Sequence, residues 1–370
     1  MGFAHSMSRR TLLSASAMLG LSAAGARAGE GQADNLSAEP SLREIGKRVG
    51  IPYGLCETTA QFPANRGYYE QLARECNIYV PSNEFNWKLV ERAKGVRTYG
   101  KLDAIAQFMK ERDVRLVGHT LLWYYAVPQW LNQLETPAAI YDAMDAYIHD
   151  VVSRFRGNVV RWDVINEQTG ADSSGEGLRR TFYLDKLGRE YMKHAYATAR
   201  AADPNVLLCY NDYGFEYDKP DNKAKRAALL AQLRRFRDEK VEVNCVGLQS
   251  HLDAGLTLDR DGLVKFVREV KQLGYKIAIT ELDVIDENLP GDERTRDHMV
   301  ASHVRDYLAC VGSEGKPVTV TNWGFTDGRT WLTMWHKRKD GRAMRPLPFD
   351  DQYNRKEQWA VIAQFLRSKA

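Results

Sequence analysis

Cysteine is scarce and unorganised in this chain of 370 residues. Cys56, Cys76, Cys209, Cys245 and Cys310 form no CxxC pair and have no histidine at metal-ligand spacing. That excludes a disulfide-stapled scaffold and a zinc centre built on thiolates. Cys209 and Cys245 lie inside apolar runs and read as buried thiols, and a Cys56–Cys76 bridge is not expected. Long apolar stretches are also missing. Beyond residue 24 no run approaches the roughly 20 apolar residues that a membrane span needs. The first apolar run is not followed by a Gly-rich loop, so the phosphate cradle of a dinucleotide fold is absent. Internal repeats and low-complexity segments are absent as well.

An excess of one charge is lacking too. The chain carries 52 Lys and Arg against 48 Asp and Glu. Residues 1–28 hold Arg9, Arg10 and Arg27 and no acid, which leaves 49 basic and 48 acidic residues in the remainder, a net of +1. Such a balance gives no electrostatic case for nucleic acid or an anionic membrane as a partner.

What is present begins with an export pattern. Ser8-Arg9-Arg10-Thr11-Leu12-Leu13 precedes a moderately apolar stretch that ends near Ala24, and Ala26-Arg27-Ala28 offers small residues for cleavage. Together they predict a twin-arginine signal peptide over residues 1–28, with the mature protein in the periplasm or outside the cell. Small and polar residues then predict a linker over 29–44.

From there to the C-terminus, strand-like runs alternate with helical patterns. The runs fall at 49–57, 78–84, 114–123, 159–167, 206–213, 243–252, 276–284 and 318–326. Most are continuously apolar, as parallel strands buried on both faces are. Between them lie amphipathic stretches such as Leu102-Ile105-Ala106-Met109, and a last helix is expected over 357–366. This order predicts an α/β fold, a (β/α)8 TIM barrel, as one domain over residues 45–370.

Chemistry-bearing residues gather where these runs end. Glu167 closes Trp162-Asp163-Val164-Ile165-Asn166-Glu167, and Glu281 closes Ile277-Ala278-Ile279-Thr280-Glu281. Two carboxylates at the ends of different barrel strands suit a paired-carboxylate reaction such as glycoside hydrolysis. Around them stand Asn83, His119, Trp123, Asn166, Tyr213, Gln249, His251, Asp283, Trp323 and Trp331. Amides and imidazoles hydrogen-bond sugar hydroxyls, and indoles and phenols stack on the apolar faces of pyranose rings. Any one of these could be an ordinary strand-end residue; so many together are poorly explained that way. Glu84 is given no role.

The chain resembles glycoside hydrolase family ten, whose best-known members are retaining endo-β-1,4-xylanases. The residues that carry the likeness are Gly118-His119-Thr120-Leu121-Leu122-Trp123, Trp162 to Glu167, Asn211-Asp212-Tyr213, Gln249-Ser250-His251-Leu252, Ile279-Thr280-Glu281-Leu282-Asp283 and Trp323-Gly324-Phe325-Thr326-Asp327. The resemblance implies that Glu281 is the nucleophile and Glu167 the acid/base, with carboxyl groups about 5–5.5 Å apart. It implies that His251, oriented by Asp283, hydrogen-bonds Glu281, and that Asn166 holds the 2-hydroxyl of the sugar being cleaved. Asn83, Gln249, His119 and Trp123 would bind substrate, Trp323 and Trp331 would cap the glycone side, and Tyr213 would serve the aglycone side. An oligosaccharide or polysaccharide is the expected partner, the expected assembly is a monomer, and two carboxylates need neither metal nor organic cofactor.

The chain departs from the family pattern on one side of the site. Glu-Asn-x-Met-Lys-Trp is replaced by Ser82-Asn83-Glu84-Phe85-Asn86-Trp87, and Trp-His-Ser-Gln-x-Pro by Trp123-Tyr124-Tyr125-Ala126-Val127-Pro128. The lost Glu, Lys and Gln bind the second glycone sugar in xylanases of this family. A hydrolase of another β-linked polymer, such as a bacterial exopolysaccharide or a β-glucan, is therefore the alternative. A carbohydrate-binding protein on the same scaffold is disfavoured by the intact Glu167, Glu281, Asn166 and His251.

Overall fold

Val-, Ile- and Leu-rich runs that are buried on both faces need cover on each side, and here the chain closes them into a barrel ringed by helices. A computed structural model describes residues 36–170 and 177–370. The expected signal peptide and residues 29–35 of the expected linker lie outside the described residues. The strands are β1 (Tyr53–Glu57), β2 (Ile78–Pro81), β3 (Arg115–Trp123), β4 (Val159–Asn166), β5 (Leu207–Asp212), β6 (Cys245–Leu248), β7 (His251–Asp253), β8 (Lys276–Ile285) and β9 (Val320–Asn322). Neighbours pair in parallel in the order β6-β5-β4-β3-β2-β1-β9-β8, and β6 also pairs with β8, which closes the ring. Helices connect successive staves across the outside, as a (β/α)8 barrel requires.

The sequence boundaries shift in several places; β2 stops at Pro81 rather than 84, and β9 covers only Val320–Asn322 of the expected 318–326. Residues 41–44, expected as linker, start a helix instead. Ser41 caps Leu42–Val49 and forms a capping box with Glu44, while Gly50 ends the helix at φ 71°. The first strand therefore begins at Tyr53 rather than at 49. The sixth expected strand, 243–252, is two strands, because Ser250 adopts φ 65° and breaks the extended backbone between β6 and β7. Its hydroxyl, Oγ, donates to the Leu248 carbonyl at 2.9 Å and so holds the break. The fourth strand ends at Asn166, with Glu167 just beyond it.

Close packing inside the barrel sets where the site can sit. A Cβ on Gly118 would lie 2.0 Å from the Trp162 ring, so the fully buried indole can occupy the space beside β3 only because residue 118 is glycine. Gly247 does the same for Asn211: a Cβ there would lie 2.2 Å from Asn211 Oδ1. Strand register is irregular between His119 and Leu122 on β3, between Asp163 and Ile165 on β4, and between Ile279 and Leu282 on β8. Such irregularities re-aim side chains, and all three fall beside residues singled out above. All five cysteines are buried and unpaired. Among the described residues, no helix is long and apolar enough to cross a membrane.

Candidate active site

Glu281 lies in β8 with Asp283 two residues on, so both side chains share the face that looks into the barrel mouth. Glu281 is 4% exposed. Its Oε1 accepts the Asn211 side-chain amide at 2.6 Å, and its Oε2 lies 3.2 Å from His251 Nε2. The other imidazole nitrogen, Nδ1, is 2.8 Å from Asp283 Oδ1. Asp283 Oδ2 in turn accepts the Trp331 indole N–H at 2.6 Å. The nitrogen set on Glu281 is thus fixed from two further layers.

Glu167 is held differently. It follows β4 in a left-handed backbone conformation, φ 58°, and its N–H donates to the Asn211 carbonyl at 2.8 Å. Trp123 Nε1 donates to Oε2 at 3.0 Å, while Gln249 Nε2 and Asn166 Nδ2 donate to Oε1 at 3.2 and 3.4 Å. These are neutral donors at ordinary or long distances. An amide relay joins the two carboxylates. Gln249 Nε2 also reaches Asn166 Oδ1 at 3.4 Å, Asn211 Nδ2 reaches the same oxygen at 2.8 Å, and Thr280 Oγ1 locks Asn211 Oδ1 at 2.7 Å.

Electrostatics separates the pair further. Burial pushes the Glu167 carboxyl above its ordinary range, and the negative charges of Asp212 and Glu281 push it further. The Trp123 and Gln249 hydrogen bonds pull part of the shift back. Burial opposes a charged His251, but Asp283 and Glu281 outweigh it and raise the imidazole well above its ordinary value. His119 shows the same contest. Burial works against its charge, and the hydrogen bond to Asp163 Oδ2 at 3.0 Å, with the nearby Glu281, prevails. His119 Nδ1 stands 3.9 Å from Glu281 Oε1. The two imidazoles beside Glu281 are biased toward their charged forms, whereas Glu167 is biased toward protonation.

Aromatic rings wall the mouth. Trp323 meets His119 edge-on at 5.0 Å, and Trp331 meets His251 edge-on at 5.0 Å. Tyr213 is half-buried, with the Lys225 ammonium 3.7 Å above its ring centre. Lys225 also binds Asp212 Oδ1 at 2.8 Å. Of the residues expected at the site, Asn166, His119, Trp123, Gln249, His251, Asp283, Trp323 and Trp331 come together around the two glutamates. Asn83 does not join their hydrogen-bond network. It is exposed, and its side chain meets Ser82 and Asn86 at 3.2 and 3.3 Å. Glu84, given no role, braces the loop after β1 by accepting the Thr59 N–H at 2.6 Å.

The altered side of the site is repacked rather than emptied. Ala126 is buried at 1% exposure. Tyr125 points outward at 64% exposure, with Lys88 Nζ over its ring at 4.1 Å. Three contributors were given no site role by sequence reasoning: Asn211, Asp163 and Arg179. The first two stand inside recognised motifs and could have been weighted by their strand-end position. Arg179 sits on a connection with no periodicity to mark it. Its Nε donates to the Glu167 carbonyl at 2.9 Å and its Nη2 to the Tyr213 hydroxyl at 2.8 Å.

A closed parallel barrel with two unlike, amide-linked carboxylates at its mouth is the arrangement of a glycoside-cleaving enzyme. The chain belongs to glycosyl hydrolase family 10, whose profile matches residues 41–365. It is 30% identical over 336 residues to endo-1,4-beta-xylanase 1 of Humicola insolens, spanning 89% of this chain and 75% of that one. It is 29% identical over 340 residues to a beta-1,4-xylanase of Dictyoglomus thermophilum, spanning 88% of this chain and 91% of that one. Among solved structures it is similar to xylanase 10B from Thermotoga petrophila RKU-1 in complex with xylobiose. That match has a TM-score of 0.79 and 27% identity over 90% of this chain and 98% of the other.

Proposed function

We propose that the protein is a retaining endo-β-1,4-xylanase in which Glu281 is the nucleophile and Glu167 the acid/base. The observation that carries the roles is the unequal surroundings of the two carboxyls. Glu281 is gripped by Asn211 and by a His251 that Asp283 and Glu281 itself keep charged. Glu167 is buried beside other negative charges and raised toward protonation. Carboxyl groups whose environments push them apart divide into nucleophile and acid.

In the first step Glu281 bonds to the anomeric carbon, the glycosidic C–O bond breaks, and the Glu167 proton passes to the leaving oxygen. In the second step Glu167 takes a proton from water, whose oxygen displaces Glu281. Asn166 and His119 hydrogen-bond the hydroxyls of the sugar being cleaved, Gln249 and Trp123 line its subsite, and Trp323 and Trp331 cap it. Tyr213 serves the leaving-group side. Asn83, exposed beside Ser82 and Asn86, adds a further substrate contact.

Xylan is the substrate this reading favours, supported by the xylanase names of the relatives. The decisive comparison sets xylan beside β-glucan and aryl β-xylobiosides beside aryl β-cellobiosides, with the anomer of the first product read by NMR. β-Xylose termini released first, with xylan preferred, uphold the proposal; an intact xylan beside a cleaved β-glucan sinks the substrate, and an inverted product sinks the mechanism. We further propose export through the twin-arginine segment 1–28 and action as a monomer. Fractionation of the producing cell and light scattering of the purified protein test these two points.

A further inference from the structure

We propose that Arg179 is the positioning residue of the acid/base glutamate, aiming its carboxyl at the leaving oxygen through the main chain. The inference rests on the reading of Glu167 given above. Glu167 needs such a device because its backbone is left-handed, φ 58°, a conformation that a residue with a Cβ keeps only when its surroundings impose it. Two hydrogen bonds impose it. The Glu167 N–H donates to the Asn211 carbonyl, and the Glu167 carbonyl accepts from Arg179 Nε at 2.9 Å. The first bond comes from the barrel wall. The second comes from outside the barrel, from a residue twelve positions on.

Arg179 is itself fixed on four sides. Its backbone N–H donates to the Gln168 carbonyl at 2.7 Å, and Gln168 Nε2 returns a bond to its carbonyl at 2.5 Å. Next to this pair, Thr169 and Leu178 form an antiparallel bridge. A Cβ on Gly170 would lie 2.9 Å from the Arg179 nitrogen, so the two segments close only around glycine. Beyond the backbone, Nη2 donates to the Tyr213 hydroxyl at 2.8 Å, and the guanidinium plane lies 4.5 Å from the Tyr124 ring centre. One planar group thus ties the acid/base backbone to two aromatic residues on the rim. Arg179 meets Glu167 at the main-chain carbonyl rather than at the carboxyl, so its work on the side chain runs through the backbone. Only a guanidinium offers two divergent N–H directions and a stacking face at once.

This role has a signature that mere structural support lacks. A poorly basic leaving group such as dinitrophenolate departs without a proton, whereas phenolate or a sugar needs one from Glu167. The test measures kcat/KM, which reports the glycosylation step, for a series of aryl β-xylobiosides from dinitrophenyl to phenyl. Wild type, Arg179→Ala, Arg179→Lys and a Glu167→Ala reference are compared. Arg179→Ala is expected to lose about 10- to 100-fold on the phenyl substrate and less than about 3-fold on the dinitrophenyl one, a weaker copy of Glu167→Ala. Arg179→Lys keeps the charge but not the fork and stays impaired on the phenyl substrate; it also carries the test where Arg179→Ala does not fold. An equal loss on every leaving group, full activity of either variant, or full restoration by lysine overturns the proposal. A flat series for Glu167→Ala overturns the acid/base assignment itself and so marks that failure apart.

Discussion

Asn211 Nδ2 lies 2.6 Å from Glu281 Oε1 and 2.8 Å from Asn166 Oδ1. One carboxamide therefore serves the proposed nucleophile and the residue expected to hold the neighbouring sugar hydroxyl. Its oxygen cannot swap with its nitrogen, because Thr280 Oγ1 donates to that oxygen at 2.7 Å.

Asn211→Ala strips a donor from both partners and leaves Thr280 facing a gap. Buried polar groups left unpaired cost roughly 1–3 kcal/mol each, so kcat/KM on xylan is expected to fall about 5- to 100-fold. Asn211→Asp is expected to be worse, because it sets a second carboxylate against Glu281 and raises the pKa of one of the two. The acid limb of kcat/KM against pH should move upward in that variant alone.

Glu167 must be protonated to act as an acid, so its raised pKa sets the alkaline limb of kcat/KM. Asp212 is the largest charge holding that pKa up after burial itself. Asp212→Asn removes this charge and frees Lys225 of its partner at 2.8 Å. Both effects favour the ionised carboxylate, and the alkaline limb is expected to move to lower pH. An unmoved limb in a folded variant means that another group sets it.

Replacing Glu167 by Ala should lower kcat/KM on xylan by about 10²- to 10⁴-fold, the usual contribution of a general acid. With a dinitrophenyl β-xylobioside, whose leaving group departs without a proton, added azide should restore turnover and give a β-glycosyl azide, because the intact Glu281 still forms the covalent intermediate. Glu281→Ala with azide should give the α-product instead. The two configurations, read by NMR, assign the roles independently of pH.

His251 also ties stability to pH. Its folded pKa is raised well above the ordinary 6.5, since the charges of Asp283 and Glu281 outweigh burial. Between those two values the folded protein binds a proton that the unfolded chain has released. This contribution is therefore complete below about 6.5 and is lost as pH rises through the folded pKa. The Tm gap between wild type and His251→Asn should be widest in mildly acidic buffer and narrow as pH rises.

How much of this was legible beforehand depends on which physical signal each residue carries. The barrel was readable because strands buried on both faces are largely apolar, as β2 and β6 are, and because such runs alternate with amphipathic stretches. Glu167, Glu281, Asn166 and His251 were readable because a polar residue at the end of such a run has few other reasons to be there. The break at Ser250 was hidden, since nothing in Leu248-Gln249-Ser250-His251 announces a left-handed residue. It nonetheless separates Gln249, which turns to Glu167, from His251, which turns to Glu281. Arg179 was hidden for the opposite reason: its contacts depend on a short backbone pairing between 168–170 and 177–179 that no periodic pattern encodes. Asn83 was placed at the site by motif position, and its side chain meets Ser82 and Asn86.

Five buried, unpaired thiols bear on how this barrel is made. Once folded, the interior shields the sulfurs from oxidants, and Cys209 and Cys245, register partners on β5 and β6, stay together as buried thiols. An extended chain released into an oxidising compartment would have no such shield, and wrong pairings would form before the strands could close around them. Export as proposed would therefore impose an order, with the barrel completed among reducing thiols before it crosses the membrane. The proposed twin-arginine route, which carries folded cargo, meets that order. Secretion of the same chain as an unfolded thread should yield cross-linked, inactive material.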